Sequence, residues 1–316
     1  MRRKVNDDVR RSRATDMGRL SPAAGLVAGL VVIVSATEVG VAQRSVAIVA
    51  AANASTTDVR FTDVRQKLEA TGLLCGGVGV FNASQGTPTL AELSQYGAVL
   101  VWSNVDFLDE LSLGNALADY VDRGGGVVVA LFANTSTDPD RSIKGRWESE
   151  NYHIVPPAFG NASGNASLGN VLIPNHPIMS GVQSVTGGTQ MLRPTTREVT
   201  AHGVKVALWD DGSTLVAISS RFRSRVDLGL YPPSNVVVPG YWSPSSDVAR
   251  LMANALNYAA GCPADLDGNN QIDFFDYLEF VAAFAEESIR ADFDCNNQID
   301  LFDYLGFAAD FASGCE

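Results

Sequence analysis

The sequence predicts an α/β domain built on a parallel sheet, followed by a small all-α module at the C-terminus. Three observations lead there. Between Arg44 and Gly261, short apolar runs alternate with amphipathic stretches, as strands alternate with helices in a parallel sheet. Beyond Cys262 the chain repeats itself: residues 264–284 and 291–311 are identical at 15 of 21 positions, at an offset of 27. Charge divides at the same place. From Cys262 to Glu316 there are thirteen acidic residues and one basic, Arg290, a net of −12, which is the net charge of the whole chain. Residues 1–261 are therefore neutral overall. A tail this acidic repels phosphate backbones and anionic lipid, which sets nucleic acid aside as a partner.

In order along the first domain, Ser45–Ala50 reads as a buried strand and Asp58–Ala70 as a helix. Gly76–Phe81 is a second strand. Thr89–Gln95 leads into a third, Ala98–Trp102, and Leu108–Asp122 is a long amphipathic helix. Gly124-Gly125-Gly126 ends that helix and Val127–Phe132 is the fourth strand. The glycines serve helix termination, since no Gly-rich phosphate loop stands in a strand–turn–helix context. Residues 140–187 are loop-rich, with Pro156-Pro157 and the Asn/Gly/Ser stretch Gly160–Asn170. Val204–Trp209, Leu215–Ser219 and Arg225–Leu230 are further strands, and Ser245–Ala259 is a closing helix ended by Gly261. Asn-Ala-Ser recurs at Asn53, Asn82, Asn161 and Asn165 as turn composition.

The N-terminus has the pattern of an export signal. Arg2, Arg3, Lys4, Arg10, Arg11, Arg13 and Arg19 form a basic region, and the uncharged apolar stretch Ala23–Ala36 follows. Gly40-Val41-Ala42 then offers small residues for cleavage before Gln43, so residues 1–42 are expected to be a signal peptide. Translation from either Met1 or Met17 would supply it. The apolar stretch is short of the roughly 20 residues a span needs, so no membrane span is expected after cleavage. The protein is expected to be secreted or held at the cell surface, where cysteines oxidise. Cys262 and Cys315 bracket the acidic module and are the expected pair, leaving Cys75 and Cys295; four cysteines allow three pairings.

The spacing within the repeat points to calcium. This hard cation takes six to eight oxygens at about 2.3–2.6 Å, supplied in a helix-flanked loop from positions 1, 3, 5, 7, 9 and 12. In the first copy these are Asp265, Asp267, Asn269, Gln271 through its carbonyl, Asp273 and Asp276. In the second they are Asp292, Asp294, Asn296, Gln298 (again by its carbonyl), Asp300 and Asp303. Two Ca2+ ions are expected. Ile272 and Ile299 fall at position 8, where paired loops pack together. Asn270 and Asn297 stand at position 6, where a left-handed turn is needed and Asn is the best substitute for Gly. Each loop leads into a helix, with predicted apolar stripes of Phe274, Tyr277, Leu278, Val281, Phe284 and of Leu301, Tyr304, Leu305, Ala308, Phe311.

Residues 262–316 resemble the dockerin repeats of bacterial secreted proteins, and more closely the DFFDYLDF-type C-terminal repeats of planctomycete exported proteins. The aspartate at position 12 matches that variant of the loop. The resemblance implies a docking or surface-attachment module with a cohesin-like or cell-surface protein as partner. Cellulosomal dockerins often carry small hydroxylated residues at positions 10 and 11; this chain has Phe274-Phe275 and Leu301-Phe302.

Residues 44–261 resemble the class I glutamine-amidotransferase-like superfamily and its ThuA-like branch. The likeness lies in Tyr120–Gly126 (YVDRGGG), His176–Val182 (HPIMSGV) and Ser220–Ser234 (SRFRSRVDLGLYPPS). It implies a flavodoxin-like sheet. The family's nucleophilic Cys would fall near Leu131-Phe132-Ala133-Asn134, where there is none. Cys75 precedes the second strand and reads as a small apolar residue or a disulfide partner. His176 is expected to order a turn, His202 to sit in an exposed turn, and His153 to lie near the mouth of the sheet.

The sequence thus favours an exported calcium-binding protein with a non-catalytic amidotransferase-like domain and a dockerin-like module. A secreted hydrolase or carbohydrate-active enzyme, acting in polysaccharide catabolism, is the alternative. It would gather His153 or His176 with Glu148 or Asp106 in a deep strand-end pocket. A glycan- or protein-binding adhesin or scaffold would instead expose Trp147, Tyr241 and Trp242 on one face.

Overall fold

The computed structural model describes residues 45–314 apart from 158, 159, 268, 270 and 297. The expected signal peptide with its two candidate start methionines, the position-6 residues Asn270 and Asn297, and Cys315 lie outside the described residues.

The chain opens with β1 (Val46–Ala51), α1 (Val59–Glu69), β2 (Val78–Asn82), α2 (Leu90–Leu93), β3 (Ala98–Ser103), α3 (Glu110–Asp122) and β4 (Gly126–Val129). Alternation along each strand sorts side chains onto two layers. Val46, Ile48 and Ala50 face a core shared with Phe61, Val64 and Leu68 of α1. Ala47, Val49 and Ala51 face another, shared with Leu113, Leu117 and Val121 of α3. Local signals set the helix ends. Asp58 accepts the Arg60 N–H at the start of α1, and Thr89 with Glu92 forms a capping box on α2.

After β4 come α4 (Arg146–Ser149), β5 (Asn161–Ser163), β6 (Ala166–Val171), β7 (Thr186–Gly187) and β8 (Leu192–Pro194). The stretch expected to be loop is thus partly strand. β9 (Gly203–Trp209), β10 (Thr214–Ser219), β11 (Arg225–Leu228) and α5 (Val248–Ala259) complete the α/β region. The main sheet has nine strands in the order β2-β1-β3-β4-β11-β10-β9-β6-β7. It is parallel from β2 to β11 and antiparallel from β11 to β7, so the all-parallel expectation is corrected to a mixed sheet. The reason lies in the connections. β9, β10 and β11 are joined by tight turns too short for the crossover that parallel neighbours need. At the start of β4 the fold requires a glycine: a Cβ on Gly126 would lie 2.5 Å from the Ala259 carbonyl at the end of α5.

The tail contributes α6 (Phe274–Ala285) and α7 (Leu301–Ser313). It has its own core of Ala264, Leu266, Phe280, Ala283, Ala291 and Phe307, with Ile272 and Ile299 packed against it. Phe280 and Phe307 stack at 4.0 Å between ring centroids. The predicted stripes are displaced in part: Phe284 and Phe311 do pack against this core. Phe274, Leu278, Val281, Leu301 and Leu305 are exposed, while the buried stripe runs through Asp276 and Phe280 on one helix and Asp303 and Phe307 on the other. The buried aspartates turn these helices inward, which rotates the contact line away from the periodicity of the larger apolar residues.

The two cysteines that the expected Cys262–Cys315 pair leaves over are joined to one another. Cys75, ahead of β2, is bonded to Cys295 in the second tail loop across a sequence separation of 220. Cys262 is itself disulfide-bonded.

Candidate functional site

Each tail loop is built around its position-12 carboxylate. Asp276 is fully buried, and its Oδ1 accepts the N–H of Leu266 at 2.8 Å and of Asp267 at 3.3 Å. Its Oδ2 accepts the N–H of Asp273 at 2.8 Å, closing the capping box that starts α6. The second loop repeats this arrangement. Asp303, also fully buried, accepts from Phe293 at 2.6 Å, Asp294 at 3.2 Å and Asp300 at 2.8 Å. Around these anchors, Asp265, Asp267 and Asp276 converge with ligand oxygens within 4.8 Å of one another, and Asp292, Asp294 and Asp303 do the same.

Of the remaining sequence-predicted ligands, Asn269 and Asn296 sit beside these groups, donating their side-chain amides to Asp267 and Asp294 at 2.8 and 2.9 Å. The N–H groups of Gln271 and Gln298 donate to the Oδ1 atoms of Asn269 and Asn296, each at 2.7 Å. Asp273 and Asp300 spend an oxygen as helix N-caps on Phe275 and Phe302. Arg290, the tail's basic residue, pairs with Glu279 at 2.7 Å. Among the described residues, Asp267, Asp276, Asp294 and Asp303 have no Lys or Arg at ion-pair distance. Three carboxylates held this close repel strongly, and a hard divalent cation is the partner that such an oxygen set fits.

The strand-end mouth of the α/β region, where ligands bind in such sheets, is organised differently. The Asn134 amide, buried in the turn where a nucleophile would be expected, donates to the carbonyls of Val129 and Leu228 at 3.3 Å. It ties the ends of β4 and β11 together. The Ser103 hydroxyl at the end of β3 is spent on the Arg141 carbonyl at 2.8 Å. Arg141 lies over the Phe132 ring and pairs with Asp138 and Asp106. Asp58, at the head of α1, is partly buried, yet hydrogen bonds from the Arg60 N–H, Asn53 and the Arg60 guanidinium outweigh that burial and hold its carboxyl below the usual range.

The three histidines are not gathered there. His153 is buried at the opposite end of the strands, a correction to its expected place at the mouth. The carbonyl of adjacent Tyr152 accepts from Arg225 at the start of β11, and the Ile154 and Val155 N–H groups donate to Asp227. His176 caps a short turn by accepting the Ile178 N–H at 3.2 Å and packs on Tyr258. His202 is half-buried and bridges the Asn151 carbonyl and the Ser219 hydroxyl, both at 2.9 Å. Glu148 and Asp106 are exposed, and no described contact joins either to a histidine. Trp147 and Trp242, expected on an exposed aromatic face, are fully buried.

Sequence reasoning missed the ion pair beneath His153. Arg225 and Asp227 are both fully buried, 2.6 Å apart. Arg225 also donates to the carbonyls of Tyr152 and Val226, and its guanidinium lies over Trp147 at 4.4 Å. Burial, with Arg225 nearby, pushes the His153 pKa from 6.5 down to about 3. The folded chain therefore keeps His153 neutral, whereas the unfolded chain takes up a proton below pH 6.5. The stability this confers is fully present above pH 6.5 and is lost as pH falls toward 3, at about 1.4 kcal/mol per unit. At pH 5 the expected loss is about 2 kcal/mol. Urea unfolding at pH 7.5 and pH 5 should show this extra loss in the native chain and not in His153→Phe; equal losses in both would remove His153 from the account.

No protein-family model matches the chain, and no curated protein matches its sequence. Solved structures do. A protein from Bacteroides uniformis described as thua-like is 14% identical with a TM-score of 0.47, over 69% of this chain and 92% of that one. One from Parabacteroides merdae, described likewise, is 13% identical with a TM-score of 0.44, over 68% and 89%. The N-terminal domain of mmIFT52 is 12% identical with a TM-score of 0.43, over 68% and 97%. Among the described residues no helix is long and apolar enough to cross a membrane.

Proposed function

We propose that this chain is an exported calcium-binding protein whose dockerin-like tail docks it to a protein partner, with an amidotransferase-like domain as the carried body. The observation behind this reading is the duplicated carboxylate triad, each copy centred on a fully buried aspartate that backbone N–H groups hold in place. Asp265, Asp267, Asn269, the Gln271 carbonyl, Asp273 and Asp276 would hold one ion, and their counterparts from Asp292 to Asp303 the other. The cation supplies positive charge that offsets the mutual repulsion of its ligands. Backbone N–H groups aim the position-12 carboxylates, and Asp273 and Asp300 start the helices, so ligand spacing and helix position are set together.

The docking part of the proposal rests on what α6 and α7 leave uncovered. Phe274 and Phe275 are each 64% exposed, and Leu301 and Phe302 are 64% and 66%. Two equivalent apolar patches of this size on an acidic module suit a cohesin-like or cell-surface protein partner. Asn134, which fills the turn at the strand-end mouth, is the ground for reading the body as non-catalytic.

Calcium titrated calorimetrically into the full chain should show two sites. Calcium should also protect residues 262–316 from proteolysis, and EGTA should remove that protection. Asp267→Ala with Asp294→Ala should weaken uptake about tenfold or more at each site. Absence of binding heat at millimolar calcium, together with a cleavage pattern indifferent to EGTA, would defeat the proposal.

A further inference from the structure

We infer that the outer edge of β2 is a docking site for an extended peptide of a partner protein, which would join the sheet as an added strand. β2 is the terminal strand of the nine, and among the described residues only β1 pairs with it. The Gly77 carbonyl accepts from Val46 and the Ala83 N–H donates to Ala50. Backbone groups alternate sides along a strand, so residues 79 and 81 also face β1 while Val78, Val80 and Asn82 turn outward. The Asn82 carbonyl is taken by the turn at Gln85 and Gly86. Left facing outward are the N–H groups of Val78, Val80 and Asn82 and the carbonyls of Val78 and Val80; Val78 is buried, so the accessible part of the row is at Val80 and Asn82. Such a row is the template that another strand pairs with.

Natural edges are usually blunted by charge, proline or a bulge. The β2 sequence, Val-Gly-Val-Phe-Asn, has none of these. Instead the edge is flanked on both faces by grooves. One, of about 400 Å³, lies against α1 and is lined by Phe61, Thr62, Val78 and Val80 with Arg65 at its rim. The other, of about 280 Å³, is lined by Phe81, Leu93 and Tyr96 with Glu92 at its rim. Side chains of an added strand point alternately to the two faces, so each groove receives every second residue. Arg65, which can exchange its exposed i,i+4 pairing with Glu69, and Glu92, whose Oε1 lies outside its capping box, match a peptide carrying an acidic side chain on the first face and a basic one on the second. A second copy of this chain fits less well. Antiparallel pairing of β2 about Val80 would set like rims together, Arg65 near Arg65.

The test uses the full chain and a fluorescein-labelled eight-residue peptide, free of proline. It has valines on both faces, one glutamate on the face that meets Arg65 and one lysine on the face that meets Glu92. Binding is expected at micromolar concentration, with amide exchange slowed about tenfold or more at Val80 and Asn82 and unchanged at Gly79 and Phe81. Val80→Pro removes an outward N–H that β1 does not use, a substitution edge strands tolerate, and should weaken binding about tenfold. Should that variant fail to fold, the exchange pattern of the native chain decides alone. No binding at millimolar peptide, protection elsewhere, or equal affinity for a folded Val80→Pro would overturn the inference. So would a concentration-dependent dimer that protects the same two amides without peptide, which would give the edge to a second copy.

Discussion

Replacing both Cys75 and Cys295 by serine is expected to cost about 5 kcal/mol of stability in the loop-closure model, because the crosslink spans 220 residues of chain. The loss should appear as a lower denaturant midpoint. It should also appear as early proteolysis in the second tail loop, since Cys295 stands at position 4, between Asp294 and Asn296. Cys295 has a φ of +64°, a left-handed conformation that suits glycine, and the crosslink helps hold it there. Cys295→Gly paired with Cys75→Ser should therefore recover part of the loop's order while leaving the entropic loss intact. A double serine variant as stable as the native chain would show that packing alone fixes the tail.

The second large effect is expected at Asp227. Its carboxylate accepts from Val155 at 2.8 Å and from Arg225 at 2.6 Å, with both charges fully buried. Asp227→Ala leaves the guanidinium without its counter-charge and should cost about 3–5 kcal/mol. Removing both charges, as Arg225→Met with Asp227→Leu, should cost much less, since the desolvation of each ion is relieved together. Urea unfolding of the single and double variants checks the difference. Equal losses would mean that the hydrogen bonds to residues 152–155, rather than the charges, hold that segment to the sheet.

Much of the framework was legible because its signals are local. Asp58, Thr89 and the glycines after Asp122 mark helix ends by short-range chemistry, and the runs at residues 46–51, 98–103 and 126–129 are apolar on both faces. β5, β7 and β8 were not legible, since strands of two or three residues leave too little pattern. β11 was legible as a strand, but its burial was not. In Arg225-Val226-Asp227-Leu228 the alternation of charged and apolar residues normally marks one wet face, but here both faces are buried and the two charges satisfy one another.

In the tail, the convergence of Asp265, Asp267 and Asp276, and of Asp292, Asp294 and Asp303, could be read from the repeat because each set sits within one loop. The helix–helix contact could not. It is made by Phe280 and Phe307, which lie off the predicted stripes, while Asp276 and Asp303 are held by the backbone of their own loops. His153 was misplaced because Arg225, the charge it lies beside, is distant in sequence, whereas the turn that His176 orders is local.

The crosslink also decides how a pull on the tail would be felt. A chain tethered through α7 transmits tension along its backbone to Cys295 and from there across the sulfurs to Cys75. The force carried by this crosslink thus enters the α/β body close to the first residue of β2. It acts on the hydrogen bonds joining β2 to β1 at the sheet's margin. Under load, that border strand should therefore be among the first parts of the molecule to give way.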